Sequence, residues 1–464
     1  MPRVPARTSS LILPPFDVLN QKASTLRATG HDVISLGQAV PGFGPPAAAI
    51  EAARRALDDA QTHRYSADAG IVTLREALCE KLAGHRLIDV QPDEVIVTAG
   101  GNQAFMLAAM TLIDPGDEVV LTTPYFVNHE MAIRAIGGVP VEAPLSEADG
   151  FSARWSSLEP HITSRTRAVV LCSPSNPTGA VIEKNELTRI VRELSSRGVI
   201  VFSDETYLHF LNEDLPPKGG SYGSGEKGGS YGSGEKGGSY GSGEKGGSYG
   251  SGEKGGSYGS GEKGGSFAAG PPEGGRYDDP ASAAAVDGWR DTVVVIGTFS
   301  KSFGMTGWRA GYMLADRHLC EQALKIQDAM IICAPMISQI AVEAAIRDNW
   351  NYAHAFHGEL MERRAALREG ISRIARLHWT PTAGGFFAFV RVADCDDSMA
   401  LASDILERAH VVTIPGVTFG SSAEGFLRLS YGAATVDELK LACQRLAAYF
   451  AAPPADPSGT VSQV

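Results

Sequence analysis

The stretch DTVVVIGTFSKSFGMTGWRAGY sets Lys301 just beyond the apolar run 292–296 and places Arg309 eight residues further on. A lysine delivered by a buried strand is driven toward its neutral amine. That is the nucleophilic form able to condense with a carbonyl group as a Schiff base. An arginine close by can fork onto two oxygens of a phosphate. Together they point to pyridoxal 5'-phosphate (PLP), and the remaining parts of such a site can be sought along the chain.

Those parts need elements to hold them. Apolar runs at DEVIVTAGG, DEVVLTTPYF, RAVVLCSP, VIVFSDETY and TVVVIGTFSK alternate with helical patterns such as NQAFMLAAMTLI, NHEMAIRAI and KNELTRIVRELSSRG. Continuous apolar strands separated by amphipathic helices predict a mostly parallel sheet covered on both faces. In such sheets ligands gather at the carboxyl ends of the strands. Here those ends carry Gly100, Gly101, Tyr125, Phe126, Asn176, Asp204 and Lys301. Beyond Tyr312 the pattern turns to long helices, HLCEQALKIQDAM and a single stretch running from SQIAVEAAI through GELMERRAALREGISRI. Two short strands, GGFFAFVRV and GFLRLSYG, and a final helix, TVDELKLACQRLAAYF, complete a smaller α+β domain.

Composition narrows the class. The chain has 464 residues, 43% of them hydrophobic, and a net charge of -12, which fits a two-domain globular protein and disfavours nucleic-acid binding. No run approaches the roughly 18 apolar residues of a membrane span, and the apolar stretch near the N-terminus is too short for a signal sequence. Six scattered cysteines without CxxC spacing argue against a metal site or a disulfide framework and point to the cytoplasm. Residues 219–263 are five identical copies of GGSYGSGEK, a Gly/Ser-rich, charge-balanced tract expected to be a solvated, disordered insertion.

Eight motifs occur in one order: YSADAGIVTLREAL, TAGGNQA, PYFVNHEMA, SPSNPTGAV, SDETY, SKSFGMTGWRAGY, PGVTFG and FLRLSYG. In these the chain resembles a fold-type I PLP enzyme of the class I/II aminotransferase family, over roughly residues 36–450 apart from the repeat. The resemblance implies an α/β fold, with a large domain built on a mostly parallel, helix-covered sheet and a smaller α+β domain. Residues 1–45 would form an N-terminal arm and part of the small domain, 46–330 the large PLP-binding domain interrupted at 219–263, 331–450 the small C-terminal domain, and 451–464 a disordered tail.

It also assigns roles. Lys301 would carry the cofactor and shuttle a proton from Cα. Asp204 would pair with the pyridinium nitrogen and make the ring an electron sink. Tyr207 and Asn176 would hold the phenolic oxygen. Gly100, Gly101 and the helix starting near Asn102, with Thr298 or Ser300 and Arg309, would hold the phosphate. Phe126, or Tyr125 beside it, would stack on the ring. Arg428 would fork onto the substrate α-carboxylate beneath the loop at Gly37, and Tyr65 would reach the phosphate of a neighbouring subunit, implying a homodimer. The chain departs from pattern at Pro41-Gly42-Phe43, where many relatives read PDF.

The function so implied is transfer of an amino group from an L-amino acid to a 2-oxo acid, with 2-oxoglutarate the expected acceptor, by a ping-pong mechanism. A PLP-dependent lyase or amino acid oxidase on the same fold is the alternative. A regulatory aminotransferase-like domain is disfavoured, because the roughly 35 residues before Leu36 are too few for a helix-turn-helix module.

Overall fold

Alternation within each strand explains the main sheet. In the strand Val293–Thr298, Val293 and Val295 lie in one apolar cluster while Val294 and Ile296 lie in another; Val95 and Val97 are likewise divided from Ile96, and Val169 and Leu171 from Ala168 and Val170. Both faces are therefore buried. A slip of one residue would exchange the two sets between clusters of different shape, so close packing on both faces sets the register.

The computed structural model describes residues 3–9, 11–86, 88–212 and 281–452. The repeat at 219–263 and most of the expected C-terminal tail lie outside them. A two-residue strand, β1 (Ile34–Ser35), precedes the seven-stranded sheet: β2 (Val95–Thr98), β3 (Glu118–Thr123), β4 (Val139–Pro144), β5 (Thr166–Cys172), β6 (Ile200–Asp204), β7 (Val293–Thr298) and β8 (Gly311–Leu314). Their order is β2-β8-β7-β6-β5-β3-β4. All neighbours are parallel except that β8 runs antiparallel to both β2 and β7. The helices Val72–Arg86, Lys184–Ser195 and Met336–Asp348 cover one face; Gly101–Leu112, Val127–Ile136 and Arg317–Ile331 cover the other.

A second sheet contains β9 (Leu377–Trp379), β10 (Phe387–Val392), β12 (Ile414–Pro415) and β13 (Phe426–Ser430) in the order β12-β13-β10-β9, while β11 (Val411–Val412) pairs with β1. The helices His357–Ser372, Ser398–Ala409 and Val436–Ala451 pack with this sheet around a separate apolar cluster.

Three expectations change. Strands β4 and β8 join the five expected. VPVEAP reads as loop because it carries two prolines, which an edge strand tolerates; GYML is short and follows the Arg309 turn directly. The single long helical stretch after residue 336 breaks where Asn349 turns extended (φ -154°, ψ 99°), giving Met336–Asp348 and His357–Ser372. The first of these packs with Ala49, Ala53, Leu74 and Leu78 in the large-sheet cluster. The final helix also runs through Ala451, the first residue of the expected tail.

Candidate active site

Three strands of the large sheet, β2, β6 and β7, end at or beside residues of the site. β2 ends at Thr98, and Gly100 turns the chain with φ +88° into the helix Gly101–Leu112, whose first turn has no side-chain cap. A β-carbon on Gly100 would sit 2.5 Å from Arg309 Nη2. Arg309 is itself left-handed (φ 52°), and its Nη1 donates to the Thr306 carbonyl at 2.8 Å. Guanidinium and open helix start thus face one place, which suits an anion.

β7 ends at Thr298, whose hydroxyl accepts from the Ser300 N–H at 3.2 Å and donates to the Ala310 carbonyl at 3.2 Å. This caps the single-turn helix Phe299–Ser302 that presents Lys301. Lys301 Nζ donates to the Ala39 carbonyl at 2.6 Å. Burial, helped by the positive charges of Arg428 and Arg309 and opposed by Asp204, lowers its pKa to about 8. Neutral amine is therefore available near physiological pH.

β6 ends at Asp204. Its Oδ2 lies 3.0 Å from His129 Nε2 and its Oδ1 accepts from the Thr206 N–H at 3.0 Å. Burial works to raise its pKa, but the bond to His129, that ring's charge and the Thr206 donors outweigh it and hold the group below the ordinary carboxylate value. His129 is in turn gripped by Phe105, stacked at 4.3 Å, and by Phe126, edge-on at 5.4 Å.

Arg428 lies in the middle of β13, 2% exposed. Nη1 donates to Asn176 Oδ1 at 2.8 Å and Nη2 to the Gly37 carbonyl, while Nε has no partner. The guanidinium faces the rings of Phe419, Phe387 and Phe16 at 5.1, 5.3 and 5.7 Å. Burial lowers its pKa only to about 10, so it stays charged. Among the described residues neither Arg428 nor Arg309 has a carboxylate partner. Tyr207 is 3% exposed beneath Phe386 and Phe387, and burial raises its pKa.

Of the residues singled out from sequence, all but Gly100, Tyr125 and Tyr65 line one cavity of about 320 Å³. Gly100 packs beneath Arg309. Tyr125 does not line it, so of the two candidate stacking rings only Phe126 borders the cavity; the Tyr125 hydroxyl donates to Glu142 at 3.4 Å. Tyr65 is 76% exposed and stands outside it. The cavity also takes in His129, Thr206, Gln38, Ala39 and Val40, with Phe16, Asp17 and Asn20 from the helix Phe16–Ala28. Sequence reasoning missed these. His129 had a readable signal, one helical turn after Phe126; the others lie on segments with no chemical marker.

The cavity suits a phosphorylated pyridine aldehyde. It offers a cationic, glycine-backed end, an amine, and a carboxylate on its floor, in a volume within the usual small-ligand range. A mixed α/β fold with that donor set defines a PLP-dependent transferase. The model of the aminotransferase class I and II family matches residues 31–222 and 265–446, and the chain belongs to that family. It is 30% identical over 432 residues to a probable aspartate/prephenate aminotransferase of Aquifex aeolicus, covering 92% of this chain and 93% of the relative. It is 29% identical over 418 residues to aromatic-amino-acid aminotransferase 2 of Thermococcus litoralis, covering 89% and 90%. Among solved structures, Thermus thermophilus aspartate aminotransferase with maleate superposes with a TM-score of 0.78 at 28% identity, covering 97% of this chain and 100% of that one. The protein is an aminotransferase with PLP as its cofactor, acting between an amino acid and a 2-oxo acid.

Proposed function

We propose that Arg428 anchors the α-carboxylate of both the amino-acid donor and the 2-oxo-acid acceptor, and that the two bind in turn, in a ping-pong cycle. The observation that carries this is a buried guanidinium that, among the described residues, is held only by neutral oxygens, with Nε unsatisfied. A charge so placed is costly unless an anion completes it. A planar carboxylate matches its fork.

Pyridoxal phosphate, when bound, supplies the aldehyde that accepts the amino group and a ring that draws electrons from Cα. Arg309, Thr298 with Ser300, and the N–H groups at Gly101 and Asn102 would hold its phosphate. Asp204, kept ionised by His129, would face its ring nitrogen; Asn176 and Tyr207 would flank its phenolic oxygen, and Phe126 would cover the ring. Lys301 Nζ, once free and neutral, removes the proton from the donor Cα, with the Ala39 carbonyl orienting the amine. The apolar walls at Phe16, Phe387 and Phe419 exclude water from the carboxylate anchor.

For the donor, relatives named for aspartate and for aromatic amino acids support an acidic or aromatic L-amino acid; prephenate, in the name of one of them, is a 2-oxo acid and so an acceptor, and 2-oxoglutarate is the acceptor consistent with the family. Tyr65, exposed in the single chain, supports a homodimer in which it reaches the partner's phosphate. Six free cysteines support the cytoplasm.

The test is a half-reaction. PLP-loaded protein is mixed with single L-amino acids and the loss of the cofactor's visible absorbance is followed, with pyridoxamine phosphate identified as product. R428Q is expected to raise the concentration of donor needed by about 10- to 100-fold, the cost of a lost charge-assisted pair. A wild-type concentration dependence in R428Q would place the carboxylate elsewhere.

A further inference from the structure

The loop 37–44 supplies two backbone oxygens to the site: Gly37 O accepts from Arg428 and Ala39 O from Lys301. Neither residue type announces such a task, so what holds the loop decides where those oxygens stand. Three grips are visible. Arg363, on the helix His357–Ser372, donates from Nη1 to the Gly432 carbonyl at 2.7 Å, just past the strand that carries Arg428, and from Nη2 to Glu359 at 3.1 Å. A β-carbon on Gly42 would lie 2.5 Å from that same Nη1 and 2.8 Å from the Gly432 oxygen. A β-carbon on Gly432 would in turn lie 2.4 Å from the Val40 oxygen. Further along, the Phe43 ring stacks on Phe356 at 4.1 Å, and the Tyr352 hydroxyl donates to the Gly44 carbonyl at 3.1 Å.

The Arg363 side chain is only 12% exposed. Its guanidinium occupies the space that a side chain at position 42 would fill. With no side chain at 42, the loop backbone closes onto Gly432 and Arg363 bridges the gap as a charged strut.

We infer that Arg363 is a positioning residue for amino transfer: seated in the space left by Gly42, it fixes the 37–44 loop against Gly432 so that the Gly37 and Ala39 carbonyls meet Arg428 and Lys301. This rests on the reading of Arg428 as the carboxylate anchor. Removing the strut frees the loop, takes the Gly37 oxygen from Arg428 and leaves Asn176, among the described residues, as the one hydrogen-bond acceptor that orients the guanidinium. Carboxylate binding weakens while the fold and the cofactor contacts stay in place.

The test uses PLP-loaded wild type, R363Q, R363K, G42A and R428Q. The probes are 2-methyl-L-aspartate and 2-methyl-L-phenylalanine, which lack the Cα hydrogen and so bind without turning over. Their Kd is read from the change in bound-cofactor absorbance, alongside cofactor content and Tm. R363Q and G42A are expected to weaken the tighter-binding probe about tenfold, the size of one charge-assisted hydrogen bond, with cofactor content and Tm at wild-type values and partial recovery in R363K. A wild-type Kd in R363Q overturns the inference; should R363Q fail to load cofactor, a wild-type Kd in G42A does so. In R428Q, weak binding beside a wild-type Kd in R363Q leaves the anchor standing and removes only the strut, whereas a wild-type Kd in R428Q removes both.

Discussion

For a single residue the decisive quantity is the state of Lys301. Its folded pKa of about 8 lies below the ordinary 10.5. Above about pH 8 the amine is neutral in the folded protein, and below it both folded and unfolded chains carry the proton. The rate at which apoprotein captures PLP is therefore expected to climb with pH and level off above about 8, a profile that stopped-flow absorbance reads directly. The linkage has a defined sign. Between about 8 and 10.5 the unfolded chain binds the extra proton, so this group makes the apoprotein more stable as pH rises through that window. A capture rate still rising steeply at pH 10 would show Lys301 to be solvated. Asp204 carries the same sign in a lower window: its carboxylate is held ionised by His129, and that contribution is lost only as pH falls below the ordinary carboxylate range.

Elements set where those residues stand, and the clearest case is the β2 end. Gly100 at φ +88° lets the chain enter the helix Gly101–Leu112 while Arg309 passes within what would be contact distance of a side chain. Changing Gly100 to Ala brings backbone strain and displaces the guanidinium, together roughly 1–3 kcal/mol. G100A is expected to release PLP about 10- to 100-fold more readily, measured by cofactor dissociation against a trap. An unchanged dissociation constant would mean the phosphate sits elsewhere. The strand β8 belongs to the same device. Running antiparallel between β2 and β7, it returns the chain from Arg309 through the gap between Gly100 and Lys301, and a β-carbon on Gly311 would lie 2.7 Å from the Gly100 backbone. Sequence pattern missed this strand because four apolar residues beside a glycine-rich turn have no period of their own.

Over the whole molecule, two predictions concern what lies beyond one folded unit. The repeat at 219–263 falls between β6 and β7, yet those strands pair directly from Val201↔Val293 to Asp204↔Ile296. The chain on either side is pinned independently. Asn212 N donates to the Ala383 carbonyl at 2.7 Å, and Ser282 Oγ and Ala283 N donate to Glu205 at 2.8 and 3.0 Å. Loop-closure entropy changes slowly with length, so deleting the five copies is expected to leave kcat within about twofold and shift stability by under about 1 kcal/mol. A large loss of specific activity would give the repeat a catalytic role. The proposed homodimer predicts a solution mass near twice the 48.9 kDa of the chain, with Y65F lowering PLP affinity; a monomer that turns over at the full rate removes Tyr65 from the site.

The chain's own letters determined the chemistry and the class of fold. Lys301, Asp204, Asn176 and Arg309 each stand at or near the end of an apolar run, where a buried strand stops and can expose function, while Arg428 was marked by its motif although it lies in the middle of β13. Asp204 could be read as a buried acid, yet not as the partner of His129, since that bond joins the end of β6 to the first turn of the helix Val127–Ile136, two segments far apart along the chain. The family resemblance marked the loop at Gly37, but its carbonyl's bond to Arg428 and the part played by the Ala39 carbonyl were illegible for a deeper reason. Every residue has a carbonyl, and only the threading of the loop past Gly432, Arg363 and Phe356 makes two of them matter. The same holds for Phe16, carried into the cavity from an N-terminal helix more than 400 residues from Arg428 along the chain. Local pattern specifies which groups are available; contacts between distant segments decide which of them meet.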